Sequence, residues 1–470
     1  MKLPGESTIL VAVGFAFLVP TLVAIGAGIA FGYDEAVYAQ LTRHWLTGAA
    51  PDGWDLHRPP GLSVLGLVPQ AVGLDGEWSH RLVGAVAGVG VVVAGWWIAR
   101  TAGGATAGLV AAVALGASAP LQVESASFLT DVPSTLVLLI LAALLWRQLR
   151  ATAIGASFVW LGVLAAAAFY LRYGAIVELV GLAVAAAMVA PARLLDGWRW
   201  VVAAVAAFVV ALVPHIVIAV AETGASWGIL RLASSAASGG DGLPLLSYAA
   251  WFPWVLIGPL GAAIALVGVV AAIWRWSASS FARYIGVAAL VPILVFGTLV
   301  HAEPRYLLFP MVLLVVLGSV EVARALERRS SGRGLDAALV ALGVGCLVLA
   351  AAVTIMEIRY RADTFDWKRE VGSDIGSVAG PVEAPDCSIR TADVPIMSWY
   401  SGCRAVNFVS GEAGVAPQTG SHRFVVVRAD GHLQPSPEAV TEIVSGAEIW
   451  KTYLDARGQP AAVVYRLPDP

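Results

Sequence analysis

Long apolar runs separated by short polar segments set the pattern of hydrophobic and polar positions along this chain. A helix needs about 20 predominantly apolar residues to cross a bilayer, and runs near that length recur as far as about Met356. The pattern predicts about eleven membrane-spanning helices, and therefore a mainly α, polytopic membrane protein. We place the spans at about 8–30, 81–99, 104–119, 132–146, 152–170, 175–191, 200–220, 248–273, 284–300, 305–323 and 335–356.

Composition agrees with this prediction. Of the 470 residues, 59% are hydrophobic and 13% are charged, whereas a soluble domain has about 25% charged residues. The first run is longer than the apolar core of a secretion signal and lacks a convincing cleavage site, so we interpret it as the first helix. The net charge is -3 and 26 of the 29 Lys and Arg residues are Arg. No polybasic face predicts a nucleic-acid partner.

The distribution of basic residues predicts the orientation in the cell membrane. With the N-terminus in the cytoplasm, twelve Lys and Arg residues near the span ends lie on the cytoplasmic side and six on the opposite side. This is the bias of the positive-inside rule. An odd number of spans then places the C-terminal segment outside the cytoplasm.

Two domains are expected. Residues 1–356 form the membrane domain, which includes a long first outer loop at 31–80, and residues 357–470 form a small extracytoplasmic α/β domain. The segments that indicate the second domain are strands at 423–429 and 461–467 and a Ser-capped helix at 436–446. Cys387 and Cys403 fall in it, and on an oxidising face of the membrane we expect them to form a disulfide.

Charged residues collect at the predicted outer ends of the spans. Charges at membrane depth are costly and usually mark a site, so we expect these side chains to converge on one outward-facing cavity. They are Asp34, Glu35, His57, Arg58, Glu124, Asp131, Arg172, Glu222, His301, Glu303 and Arg305.

Each of these residues also has a plainer interpretation. Asp34 and Glu35 can simply favour a helix N-terminus, or one of them can act as a general base towards a hydroxyl nucleophile. Arg58 can reach the interface or bind a phosphate. Thr130 or Asp131 can cap a helix that has Pro133 in its first turn.

The segment "HAEPRYLLFP", residues 301–310, contains residues for two further kinds of binding site. Arg305 with Tyr306 can hold a lipid phosphate at the outer leaflet. His301 and Glu303 can ligate a metal ion, but no third ligand is evident beside them.

Four motifs, in this order and on one membrane face, resemble those of the GT-C superfamily of membrane glycosyltransferases. They are "DEAVY" (34–38), "HRPPG" (57–61), "TDVPS" (130–134) and "PRYLLFP" (304–310). The resemblance covers essentially the whole membrane portion. It is to the branch that contains the dolichyl-phosphate-mannose protein mannosyltransferases and the bacterial lipid A aminoarabinose transferase.

This resemblance implies an inverting transfer of a sugar from a polyprenyl phosphate, dolichyl or undecaprenyl, to an extracytoplasmic acceptor hydroxyl. It implies that Asp34 is the general base, that Glu35 supports it, and that Asp131 shapes the acceptor or donor site. Arg58 and Arg305 would neutralise the lipid phosphate as it leaves, because charge develops there in the transition state.

Some positions depart from the family pattern. Arg58 stands where the family has Lys, and Gly61 where it usually has Leu. His57 replaces an acid that the aminoarabinose branch associates with metal. No cofactor is therefore certain, and a divalent metal ion is left open. The acceptor is also left open between a protein, a glycolipid and a cell-surface glycan.

Two other classes of protein compete with the enzyme. A secondary transporter would need ionisable residues near the middle of spans, and Glu178 is the one plausible acid of that kind. A sensor or scaffold would leave the outer carboxylates unexplained.

Overall fold

A computed structural model of the chain describes residues 6–237, 245–246, 248, 252–299, 303–329, 333–379, 386–408, 418, 420–431 and 433–468. The helices, in chain order, are α1 (Glu6–Gly26), α2 (Tyr33–Thr47), α3 (Gly61–Ala71), α4 (Glu77–Gly116), α5 (Ala119–Ser125), α6 (Asp131–Arg150), α7 (Val159–Leu171), α8 (Ala175–Val189), α9 (Pro191–Asp196), α10 (Trp198–Thr223), α11 (Gly228–Ala237), α12 (Phe252–Trp274), α13 (Ser280–Leu299), α14 (Leu308–Arg329), α15 (Arg333–Phe365), α16 (Trp367–Ala379), α17 (Val394–Ser401) and α18 (Pro437–Ile443). Short 3-10 turns lie at Ala156–Phe158 and Pro304–Leu307.

The membrane helices follow the predicted spans. Within the described ranges, eight helices are long and apolar enough to cross a membrane. One of them, α4, covers two predicted spans and bends at Gly104, whose φ of 85° favours glycine. The shorter apolar helices α7 and α8 lie at two more predicted positions. The predicted mainly α, multi-pass architecture is confirmed.

The chain divides into two compact units. The first comprises Met1–Val23, Leu56–Leu62 and Arg81–Ile355. Its core depends on close helix crossings: a Cβ at Gly318 would lie 1.9 Å from the Ile264 carbonyl oxygen. Small residues permit such approach between helices whose aliphatic side chains otherwise fill the interior.

The second unit comprises Ala24–Asp55, Ser63–His80 and Met356–Pro470. It therefore joins most of the first outer loop to the C-terminal segment. The change from the first unit to the second falls inside α15, where the composition of the sequence also changes.

Helix α2 packs within this second unit through its own buried face. The Thr42 hydroxyl donates to the Ser63 carbonyl oxygen at 3.0 Å, and the Ser63 hydroxyl donates to the Tyr38 carbonyl oxygen at 2.8 Å. These bonds fix the start of α3 against α2.

The C-terminal segment forms a five-stranded mixed sheet in the order β2-β1-β3-β5-β4. The strands are β1 (Cys387–Arg390), β2 (Arg404–Val406), β3 (His422–Arg428), β4 (Glu448–Leu454) and β5 (Pro460–Arg466). β1 pairs with β2 and β3 in parallel, and β5 pairs with β3 and β4 in antiparallel fashion. The predicted strands correspond to β3 and β5, and the predicted helix to α18.

A disulfide joins Cys387 of β1 to Cys403, with the Cα atoms 5.2 Å apart, which is the expected pairing. The crosslink encloses α17. Cys346, in α15, is a free thiol.

Candidate functional site

The two adjacent carboxylates of "DEAVY" lie in the first turn of α2. Glu35 is buried, and its Oε2 accepts a hydrogen bond from the Gly32 backbone N–H at 2.9 Å. This contact caps the helix N-terminus, where acidic side chains are favoured. Asp34 is partly exposed and precedes the capping residue. The capping contact of the plainer interpretation is therefore present at Glu35, and Asp34 is the more accessible carboxylate.

The far end of α2 is held by Arg43. Its guanidinium donates to the carbonyl oxygens of Trp399 and Ser398, each at 3.2 Å, and lies 4.8 Å from the centre of the Trp399 ring. Burial lowers the pKa of Arg43, although the charge of Asp52 opposes this. No local sequence pattern identifies Arg43 as important, because its partners are far away in sequence.

Asp52 makes a second connection in the same unit. Its Oδ2 accepts from the Ser398 hydroxyl at 3.0 Å and from the Ala405 backbone N–H at 2.8 Å. Burial raises the pKa of Asp52, against these hydrogen bonds. Helix α17 is therefore tied to the loop that follows α2.

The "HRPPG" motif lies in the first unit. Arg58 and His57 are half-buried, and Pro59 is buried. A Cβ at Gly61 would lie 2.5 Å from the Tyr170 carbonyl oxygen. A larger residue would clash with this backbone, so glycine at position 61 has a steric cause.

Asp131 opens α6 and is buried. Thr130 is the N-cap residue, but its side chain makes no capping hydrogen bond. The Asp131 Oδ1 instead lies 3.6 Å from the Arg172 Nε. Asp131 therefore has an electrostatic partner in addition to its place in the first helical turn.

Arg172 is the centre of a buried charge cluster. Its Nη1 lies 3.3 Å from the Glu178 Oε1, and its guanidinium lies 4.8 Å from the centre of the Tyr306 ring. Glu178 is fully buried. The cluster brings together three candidate site residues from separate motifs and spans, Asp131, Arg172 and Tyr306, with Glu178 as a fourth member.

The "PRYLLFP" motif begins in the 3-10 turn before α14. Arg305 Nε lies 3.5 Å from Glu303 Oε2, and both side chains are about one-third exposed. His301 lies outside the described residues. Glu124 is half-buried at the end of α5, and Glu222 is exposed near the end of α10.

Within the part of the chain that the structure describes, no three His, Cys, Asp or Glu residues are grouped so that they could hold a metal ion. Asp34 and Glu35 belong to the second unit, whereas Arg58, Asp131 and Arg305 belong to the first. Their convergence on one cavity stays a prediction.

Comparison with known proteins gives a family-model match over part of the chain and a fold over nearly all of it. The family model described as dolichyl-phosphate-mannose-protein mannosyltransferase matches residues 57–218, which include "HRPPG" and "TDVPS". No curated protein sequence matches the chain.

Solved structures resemble the chain over nearly its whole length. ArnT from Cupriavidus metallidurans bound to undecaprenyl phosphate has a TM-score of 0.68 at 17% identity, covering 99% of this chain and 99% of that chain. The Archaeoglobus fulgidus oligosaccharyltransferase AglB, with an inhibitory peptide and a dolichol-phosphate, has a TM-score of 0.58 at 11% identity, covering 98% of this chain and 74% of that one. The same oligosaccharyltransferase tethered with an acceptor peptide has a TM-score of 0.61 at 10% identity, covering 98% and 74%. The resemblance to GT-C glycosyltransferases is confirmed at the level of the fold.

Proposed function

We propose that this protein is a membrane glycosyltransferase that moves a sugar from a polyprenyl phosphate to an acceptor hydroxyl outside the cytoplasm. The observation that carries the proposal is the likeness of fold to ArnT bound to undecaprenyl phosphate, which extends over 99% of both chains. The match of residues 57–218 to the mannosyltransferase family model supports the same chemistry.

The reaction needs a proton acceptor on one side and positive charge on the other. The acceptor oxygen attacks the anomeric carbon and loses its proton to Asp34, and the bond from that carbon to the phosphate oxygen breaks. The lipid phosphate leaves with an additional negative charge. Cations that face this oxygen in the transition state lower the barrier.

We assign Arg58 and Arg305, with Tyr306, to the leaving phosphate. Arg172 already faces two carboxylates, Asp131 and Glu178, so we assign it to holding Asp131 in place. In this account Asp131 shapes the acceptor or donor site, and Glu35 supports Asp34 by capping α2.

The location of the site follows from the expected topology. We place the N-terminus in the cytoplasm, the catalytic residues in the membrane domain, 1–356, and the α/β domain, 357–470, outside the cytoplasm. The donor then enters from the outer leaflet, and the acceptor is a protein, a glycolipid or a cell-surface glycan. The sugar is a hexose or a pentose, and the proposed steps use no metal ion.

A transporter would use Glu178 to bind a coupling ion or substrate. Glu178 instead pairs with Arg172 inside the charge cluster, which favours a structural use of this acid. The enzyme is therefore the better account of the charged residues.

The test uses the full chain in proteoliposomes, with a panel of undecaprenyl phosphate hexoses and pentoses as donors and a membrane extract of the source cells as acceptor. The readout is the release of undecaprenyl phosphate. Asp34→Asn should lower kcat by about 100- to 10,000-fold, the usual contribution of a general base. The matched control, Asp75→Asn, changes an exposed carboxylate of the same outer loop and should leave kcat unchanged. Unchanged turnover in Asp34→Asn would refute the assigned base.

A further inference from the structure

Three consecutive backbone N–H groups immediately before α2 each donate a hydrogen bond to a side-chain oxygen. Ala30 N–H donates to Asp366 Oδ1 at 3.0 Å, Phe31 N–H donates to the Tyr400 hydroxyl oxygen at 2.7 Å, and Gly32 N–H donates to Glu35 Oε2 at 2.9 Å. The first two acceptors lie 336 and 369 residues further along the chain. The C-terminal domain thus holds the peptide that leads directly into Asp34.

The side chain of Phe31 is enclosed at the same point. It is fully buried, and its ring lies 5.2 Å from the ring of Trp399 and 6.0 Å from that of His80. Trp399 is the neighbour of Tyr400 on α17. One helix of the C-terminal domain therefore fixes both the backbone and the side chain of Phe31.

A charge network supports the Tyr400 hydroxyl. Arg369 makes a bidentate ion pair with Glu77, at 3.1 and 2.7 Å, and Tyr400 hydrogen-bonds to the same carboxylate. Burial, together with the charge of Glu77, raises the pKa of Tyr400 well above its usual range. The hydroxyl therefore stays protonated, donates to Glu77 and accepts from Phe31.

Helix α17 is itself braced from two directions. The disulfide between Cys387 and Cys403 encloses it, and Asp52 and Arg43 hydrogen-bond to Ser398, a buried residue of the helix. Such supporting contacts keep a catalytic group within a narrow range of positions.

We propose that Tyr400 and Asp366 are positioning residues for Asp34, and that the C-terminal domain serves the reaction by setting the start of α2. The inference rests on the proposed function, since it takes Asp34 as the general base. A rigid start of α2 matters because a small displacement of a catalytic group costs rate even when binding is intact.

Matched substitutions separate positioning from folding. Tyr400→Phe keeps the ring and removes the accepting oxygen. Asp366→Leu removes the second acceptor, while Asp366→Asn retains a carbonyl oxygen at the same place. Tyr360→Phe, on an exposed side chain of α15, is the control.

Two measurements are made on the full chain in proteoliposomes. The first is kcat and KM with the panel of undecaprenyl phosphate hexoses and pentoses, and the second is amide hydrogen exchange of the peptide that contains Phe31. We expect Tyr400→Phe and Asp366→Leu to lower kcat by about 10- to 100-fold with KM for the donor unchanged, and to speed the exchange. Asp366→Asn and Tyr360→Phe should resemble the unchanged protein.

The outcomes distinguish this inference from the proposed function. Unchanged kcat in both Tyr400→Phe and Asp366→Leu, while Asp34→Asn is inactive, would overturn the positioning role and leave the enzyme. A loss of kcat without faster exchange at Phe31 would also overturn it. Full activity of Asp34→Asn would refute Asp34 as the base and with it the positioning role, whereas absence of sugar transfer by the unchanged chain would defeat the proposed function.

Discussion

Arg172 faces two buried carboxylates, Asp131 and Glu178, within the membrane unit. Such a cluster contributes little stability as a whole, but removing one partner leaves charge buried without compensation. Arg172 therefore supplies the counter-charge that both buried acids need.

We predict that Arg172→Met destabilises the protein by about 3–5 kcal/mol, because Asp131 and Glu178 then lack a counter-charge. Thermal unfolding in detergent checks this. Arg231→Met, which changes an exposed Arg on α11, should leave the melting temperature close to that of the unchanged protein. Equal melting temperatures for the two variants would contradict the account.

Residue types were more predictable from sequence than their partners. "DEAVY" predicts acids at a helix start, and Glu35 indeed caps α2. Nothing local predicts that Arg369 meets Glu77, because 292 residues separate them. The same limit hid Arg43 and Tyr400, whose importance arises only from contacts made by the folded chain.

The crossing of α12 and α14 is so close that side chains are excluded from it. A Cβ at Gly318 would lie 1.9 Å from the Ile264 carbonyl oxygen, and one at Gly268 would lie 2.1 Å from that of Leu314. The obstructing atoms are backbone, so the helices themselves would have to move apart.

Gly318→Ala should therefore lower stability by about 1–3 kcal/mol, the usual cost of overpacking. Gly345→Ala provides the matched control, since nothing lies within 4 Å of its added Cβ. An exposed helical Gly to Ala change should be neutral or stabilising by about 0.5–1 kcal/mol. Melting temperatures that fall equally in both variants would contradict the close crossing.

A polar clamp joins α16 to β4 in the C-terminal domain. Lys451 Nζ lies 2.6 Å from Asp374 Oδ2, which also accepts from the Tyr453 hydroxyl at 2.9 Å. The hydrogen bond from Lys451, followed by that from Tyr453, holds the pKa of Asp374 below its usual value, although slight burial opposes this. The clamp therefore favours the ionised acid in the folded state.

The sign of the pH dependence follows from that lowered pKa. The contribution of Asp374 is fully present above its unfolded pKa, near 4, and is lost as the pH falls through the lower folded value. Because the pair is partly exposed, we expect at most about 1 kcal/mol. In Asp374→Asn, the melting temperature should therefore fall less steeply as the pH is lowered through this range. Glu442→Gln, which changes an exposed side chain of α18, should leave the pH dependence of the melting temperature unchanged.

Elements with strong periodicity were predictable and elements without it were not. The apolar runs predict the membrane helices, and the two apolar strands correspond to β3 and β5. β4, "EIWKTYL", is exposed on most of its length and lacks the alternation of a half-buried strand. β1 and β2 have four and three residues, which is too short for a pattern to emerge.

For the whole molecule, most of the first outer loop and the C-terminal segment form a single compact unit, even though they lie at opposite ends of the chain. The composition change near Met356 indicates a domain there, but the sequence has no signal that the loop belongs to it. Because both segments belong to one unit, residues of the C-terminal domain contact the peptide that precedes the proposed base, Asp34.

The orientation in the membrane can be tested independently of activity. We predict that a thiol introduced by Glu442→Cys is labelled by a membrane-impermeant maleimide in intact spheroplasts, because the α/β domain lies outside. Arg328→Cys, at the end of α14 and beyond the predicted span 305–323, should be labelled only after permeabilisation. The reverse pattern would place the candidate site on the cytoplasmic face.

The most direct test of the proposed chemistry is mass spectrometry of glycans and polyprenyl phosphate lipids in cells lacking this gene. We predict that one glycan loses a sugar and that its polyprenyl phosphate donor accumulates. The unchanged chain should reverse both effects, and the Asp34→Asn chain, expressed at the same level, should reverse neither. Restoration of the glycan by Asp34→Asn, or an unaltered set of glycans in the deletion strain, would contradict the account.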